Sequence, residues 1–277
     1  MCDFGMDFGN IENIRLKAFC LSVTLRCTLR CKLCIVRAGY YSQPPHPETG
    51  HLKKQVSSVY SVISFVDDFN ISGGEPFLRN DLAELLTFLR INYKDKMKRC
   101  RIFTNGTLLP SEVSASGFYE EAGRWGDDFS VVIDKYIVSD KCDDIALRFK
   151  SEGIPFEIRD YTDNLHCDGW ADFGDLTLKH TDTDAFSLYQ KCAVKQGYYV
   201  YMENGVFFAC PKAHHLRENN LGNDYVDFLS DLPCEKKKEQ LVSLLSRSFF
   251  EACKYCNGIC EDSERFLPGE QLAEREN

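Results

Sequence analysis

The sequence has no apolar run near the ~18–20 residues needed to span a bilayer. Residues 1–10 carry neither a basic n-region nor a continuous apolar h-region, so no signal peptide is expected. An excess of basic charge is missing too. Thirty-three Lys and Arg stand against forty-two Asp and Glu, a net charge of −9. That argues against nucleic acid as a partner, because phosphate binding needs a basic face. Internal repeats and low-complexity tracts are absent. What remains, 277 residues with 44% hydrophobic and 27% charged, suits one full core and a small second module. The expectation is a cytoplasmic protein that binds neither membrane nor nucleic acid.

Cysteine is the outlying number. Fourteen in 277 is about 5%, below the ~8–10% of disulfide scaffolds but high for an ordinary enzyme. In a reducing compartment, clustered cysteines serve metals or redox chemistry. Cys27, Cys31 and Cys34 form a C-x3-C-x2-C run just past an expected strand at residues 18–25. Three thiolates can hold three irons of a [4Fe–4S] cluster and leave the fourth open, with zinc as the alternative. Cys192 and Cys210 flank two β-rich runs joined by Asn204-Gly205, a strong hairpin signal that brings the pair together. Cys253 and Cys256 form a C-x2-C clip after an expected helix over residues 239–252. Joined to the hairpin pair they supply four thiolates. Spacing alone leaves open zinc against an Fe–S cluster, and Cys192 against Cys260 as the fourth ligand. Most other cysteines read as small core residues.

Strands are expected at residues 18–25, 65–72, 100–104, 129–134 and 154–159, and helices at about 50–64, 80–93, 110–123 and 140–152. Such alternation gives an α/β fold with a parallel sheet. Asn80 is expected to cap the second helix. The domain reading is a core over 1–160, a connection across the sheet's mouth over 161–190, a small module over 191–262, and a loose tail over 263–277. Two loops join the cysteine loop at the same ends of the strands: Gly73-Gly74-Glu75-Pro76 and Thr104-Asn105-Gly106-Thr107. The glycines are expected to let backbone approach a ligand, and Glu75 to accept from an ammonium group. Arg159, ending the fifth expected strand, points to the same mouth and is a candidate to orient a hydroxyl or phosphate.

Cys27-x3-Cys31-x2-Cys34, Gly73-Gly74-Glu75-Pro76 and Thr104-Asn105-Gly106, in this order, resemble the radical S-adenosylmethionine (SAM) superfamily over residues 17–160. Leu33 departs from the aromatic residue usual before the third cysteine, and an aliphatic there is expected to pack on the cluster. Cys192, Gly205-x4-Cys210 and Cys253-x2-Cys256 resemble the twitch subgroup of the SPASM/twitch enzymes. Layout and length are similar to twitch enzymes that oxidise an aminocyclitol alcohol.

The resemblance implies a partial (β/α)6 TIM-like barrel with a small C-terminal α+β twitch domain. It also implies two [4Fe–4S] clusters, one on Cys27, Cys31 and Cys34, the other on Cys192, Cys210, Cys253 and Cys256. SAM would be bound by Gly73, Gly74, Glu75, Thr104 and Asn105, with Asp134 and Ser139 at its ribose or carboxylate. The cluster's electron would come from an external donor such as flavodoxin or ferredoxin. The expected activity is hydrogen-atom abstraction from a small polar substrate, a sugar or aminocyclitol, followed by oxidation with the auxiliary cluster as acceptor. Epimerisation is the runner-up, with Cys167 or Cys260 as hydrogen-atom donor. Peptide modification is disfavoured because few residues precede the first strand. A zinc-dependent binding module would make the glycine loop and the open cysteine site coincidental.

Overall fold

The computed structural model describes residues 13–110, 112–162 and 169–273. Four β-α pairs come first: β1 (Arg15–Thr24) with α1 (Thr49–Tyr60), β2 (Phe65–Gly73) with α2 (Leu82–Tyr93), β3 (Met97–Thr104) with α3 (Glu112–Trp125), and β4 (Phe129–Lys135) with α4 (Cys142–Ser151). Then follow β5 (Phe156–Asp160), α5 (Asp182–Lys191), β6 (Tyr201–Glu203), β7 (Val206–Phe208), α6 (Pro211–Glu218), β8 (Tyr225–Asp227) and α7 (Cys234–Leu245). The sheet is mostly parallel, so the α/β class expected from the alternation is the class the chain has.

The contacts divide the chain into two units that interleave along the sequence. The first unit takes in described residues of 22–52, 70–170 and 265–273. Its strand order is β5-β4-β3-β2-β1, with β3, β4 and β5 mutually parallel. Its core is aromatic: Phe77, Phe118, Phe129 and Phe149 are fully buried, with Phe77 and Phe118 ring centroids 5.4 Å apart. Phe77 directly follows the Gly73-Gly74-Glu75-Pro76 loop, so this core fixes that loop's exit.

Arg79 is the polar anchor of the same unit. Its buried guanidinium donates to Val23 O (2.9 Å), Pro47 O (2.8 Å), Thr49 Oγ1 (3.2 Å) and both oxygens of Asp81. It thereby ties the end of β1 to the segment entering α1. Asp81, not Asn80, stands at the N-cap of α2, and its carboxylate is committed to Arg79 and Thr49, so no side-chain cap forms.

The second unit takes in described residues of 13–21, 53–69 and 171–264, with strand order β2-β1-β6-β7-β8. β6 runs parallel to β1, pairing Tyr201 with Cys20. β6 and β7 form the expected hairpin, pairing Tyr201 with Phe208. Asn204 (φ 47°) and Gly205 (φ 82°) both take the left-handed conformation a two-residue type I′ turn needs. Two expectations shift. Residues 182–191, read as irregular connection, form α5, started by a Thr181–Asp184 capping box. The helix expected over 239–252 runs instead over 234–245, after Pro233. Beyond it Phe250 turns its ring onto Tyr189 (5.1 Å).

Replacing Arg79 by Met should lower stability by about 1–3 kcal/mol, because the carbonyls of Val23 and Pro47 are left without their donor. Arg79→Lys should rescue little, because a single ammonium cannot serve five acceptors in one plane. Urea unfolding of the three proteins tests both statements.

Candidate active site

In the first unit the three loops of interest are sewn to one another. Gly74 N donates to Thr24 O (2.6 Å) and Glu75 N to Arg26 O (2.8 Å). A Cβ on Gly73, which has φ +126°, would lie 2.2 Å from Thr24 O, and one on Gly74 would lie 2.1 Å from Arg26 O. The two glycines are therefore required by the backbone leading into the cysteine loop.

Glu75 is fully buried. Its carboxylate accepts from Thr104 Oγ1 (3.0 Å to each oxygen), Asn105 N (2.9 Å) and Phe77 N (3.0 Å). The oxygens expected to receive an ammonium group are thus engaged in holding the loop after β3 against the loop after β2. Burial pushes its pKa up to about 7, opposed by these hydrogen bonds.

Asn105 carries the tie onward. Its Nδ2 donates to Thr28 Oγ1 (3.0 Å) and Cys27 Sγ (3.4 Å), while its Oδ1 accepts from Thr107 N (3.1 Å). Ser139, expected at the cofactor, donates to Asn105 O (2.5 Å) and accepts from Tyr136 N (2.8 Å), so its hydroxyl braces the same loop. Asp134 differs. Its Oδ1 is shielded from solvent with no hydrogen-bond partner, and burial raises its pKa to about 7, opposed by the charge of Arg159. Asp134 and Arg159 are register partners on β4 and β5. Arg159 donates through Nε to Glu157 (2.7 Å) and lies 5.1 Å above the Phe103 ring.

Cys27, Cys31 and Cys34 pack with Leu29, Tyr136, Tyr161 and Trp170. Leu29, not Leu33, is the aliphatic residue in that cluster. Burial first, and the Cys34 thiol next, push Cys31 up to about 11. Burial also raises Cys27 to about 12 and lifts Cys34. N–H groups nonetheless aim at the sulfurs: Leu29 N at Cys27 (3.4 Å), Asn105 Nδ2 at Cys27, and Gln271 Nε2 at Cys31 (3.5 Å). Such donors reward the thiolate form, which is the ligand form. Among the described residues, no three His, Cys, Asp or Glu side chains converge tightly enough for a single ion. One tetrahedral ion draws thiolates to within about 4 Å of one another, whereas a cubane spreads them over separate irons. Three thiols on one loop are a donor set that can serve three irons of a cluster.

In the second unit Cys192, Cys210, Cys253 and Cys256 line one small cavity of about 20 Å³, with Tyr189, Phe250 and Lys212 among its other walls. Burial pushes Cys253 up to about 12 and Cys256 to about 11, and lifts Cys210 well above the ordinary thiol range. Gly258 N donates to Cys256 Sγ (3.2 Å). Cys260 is buried but is not on the cavity wall. Cys167 lies outside the described residues.

Sequence reasoning missed the segment 265–273, read as loose. Trp170 and Phe266 form an antiparallel bridge, Cys31 and Gln271 form another, and Lys32 pairs with Glu270 (3.2 Å). Nothing in the residues of that segment announces the contact, since its partners lie some 240 positions earlier.

The fold and site together define a mostly parallel α/β protein with three thiols on the loop after its first strand. Residues 21–118, about a third of the chain, match the family model described as Radical SAM superfamily. Over 110 residues it is 33% identical to GTP 3′,8-cyclase of Alkaliphilus oremlandii, covering 39% of this chain and 32% of that protein. Over 117 residues it is 32% identical to GTP 3′,8-cyclase of Aquifex aeolicus, again 39% and 32%. The chain thus spans about a third of the length of these curated relatives. Among solved structures it is similar to BtrN in complex with AdoMet and 2-DOIA, with TM-score 0.46, 14% identity, and 93% and 98% of the two chains covered. It is also similar to Streptococcus suis SuiB bound to a precursor peptide, with TM-score 0.40, 15% identity, and 56% and 37% covered. At these scores neither likeness bears on substrate. No described helix is long and apolar enough to cross a membrane.

Glu75→Gln tests the stitched loops. It swaps an acceptor for a donor against Asn105 N–H or Phe77 N–H, so amide exchange at the unserved position should accelerate at least about tenfold. The sign of the pH effect follows from the raised pKa. The folded chain favours the protonated carboxyl, so this contribution is complete below the ordinary carboxylate pKa and is lost as pH rises through about 7. In cluster-free protein the variant should lose that part of the decline in stability.

Proposed function

We propose that the chain cleaves SAM reductively at a [4Fe–4S] cluster held by Cys27, Cys31 and Cys34. It then removes a hydrogen atom from a small polar substrate, a sugar or aminocyclitol, which leaves oxidised. The observation that carries the reading is the trio of thiols packed together on one loop, with N–H donors aimed at two of its sulfurs. Three ligands on a four-iron cluster leave one iron for an exogenous chelator.

When bound, the first cluster and SAM supply a 5′-deoxyadenosyl radical, and a second cluster in the other unit supplies an acceptor for the electron left on the substrate. The chain's own residues do the rest. Glu75 and Ser139 hold the loop bearing Asn105, and Asn105 holds Cys27. Tyr136, Tyr161 and Trp170 keep water from the thiols. Asp134 offers a shielded acceptor and Arg159 a half-buried cation beside Phe103, a pairing suited to a ligand rich in hydroxyls. Two protons and two electrons leave an alcohol that becomes a ketone. One of each departs as the abstracted hydrogen atom, the proton goes to solvent or a base, and the last electron goes to the second site.

The second site's ligands in this reading are Cys192, Cys210, Cys253 and Cys256, supported by their sharing one cavity from which Cys260 is absent. Flavodoxin or ferredoxin fits as the source of the initiating electron. The GTP 3′,8-cyclase relatives match over 39% of this chain, which supports the shared cleavage step and leaves their substrate with them.

Replacing Cys27, Cys31 and Cys34 by Ala should abolish 5′-deoxyadenosine formation and remove about half the iron; continued cleavage in that variant contradicts the assignment. Cys253→Ala with Cys256→Ala should keep SAM cleavage and lose substrate oxidation, while Cys260→Ala should leave the iron content unchanged. Mass spectrometry of reactions with candidate sugars and aminocyclitols decides the outcome. A product lighter by two hydrogens supports oxidation, and an isobaric product supports epimerisation.

A further inference from the structure

We infer that Gln271 is a positioning residue for the Cys31 ligand and raises the reduction potential of the cluster bound there. The inference rests on the reading that Cys27, Cys31 and Cys34 hold a cluster.

The segment 265–273 lies antiparallel to the cysteine loop. Lys32 N donates to Glu270 O (2.7 Å) and Leu272 N to Arg30 O (2.7 Å), on either side of the Cys31–Gln271 bridge. Gly269 has φ +80°, and a Cβ there would meet Tyr136 at 2.8 Å, so the segment runs flush against the aromatic wall of the thiols. The Gln271 amide is fully used. Its Oε1 accepts from Arg30 N (2.7 Å), which fixes which end is oxygen. Its Nε2 then donates to Gly269 O (2.6 Å) and to Cys31 Sγ (3.5 Å).

One side chain therefore anchors the loop through Arg30 and hydrogen-bonds the sulfur next to it. A ligand sulfur gains electron density when its cluster is reduced, so an N–H donor favours the reduced state and raises the potential. Asn105 Nδ2 and Leu29 N do the same for Cys27 from inside the barrel loops. Gln271 differs in coming from a separate segment that touches the site nowhere else through a sulfur.

The test is redox titration of reconstituted protein, followed by the paramagnetic signal that the Cys27, Cys31 and Cys34 triple variant lacks. In Gln271→Met, a neutral residue of similar length, iron should be retained. At fixed poise the ratio of reduced to oxidised cluster should fall about threefold, roughly 30 mV for a one-electron couple. Retained iron with an unchanged potential overturns the inference. Should the variant bind no iron, wild-type protein labelled at the glutamine amide nitrogen decides. A nitrogen coupling to the cluster supports the hydrogen bond, and its absence overturns it. If the triple variant keeps the signal, the underlying cluster reading fails instead.

Discussion

A single buried carboxylate holds the first unit's loops in register. Glu75 sits where β2 ends, with no exposure to solvent, and receives hydrogens from three loop groups at once. Leaving such a group unserved costs about 1–3 kcal/mol for each donor, so the loops cannot drift independently. The glycines on one side and Asn105 on the other turn that constraint into the placement of Cys27. The raised pKa is the cost of the arrangement, and it is offset only by donors in good geometry.

The two groups of thiols solve the same problem differently. The trio on the loop after β1 has amide donors from three places in the sequence and an aromatic wall to one side. The four thiols of the other unit share a small cavity whose remaining walls are chiefly apolar, and one backbone N–H serves Cys256. Burial keeps the thiols of both groups neutral as they stand, and a bound cation would favour their thiolate form.

Much of this was legible in the residues because it is local. The βα alternation, the Asn204-Gly205 turn and the placement of the cysteine loop past a strand end all follow from patterns a few residues long. What escaped depends on distance along the chain. The approach of Gly73 and Gly74 to Thr24 O and Arg26 O, about fifty residues earlier, is invisible locally. So are the hydrogen bonds that tie Glu75 to Asn105 N and Ser139 to Asn105 O. Helix α7 began earlier than periodicity suggested because Pro233 sets its start. The short segment around Gln271 carries no pattern that would mark it as a neighbour of the Cys27, Cys31 and Cys34 loop.

The central claim is that Cys27, Cys31 and Cys34 hold a cluster with one iron open to the amino acid end of SAM. Electron–nuclear double resonance on the reduced protein, with SAM isotope-labelled at its amino nitrogen, reads that contact directly. The account predicts a strong nitrogen coupling to the cluster, absent when any of the three cysteines is replaced by Ala. A reduced cluster that shows no coupling to labelled SAM, in protein that still binds it, would contradict the account.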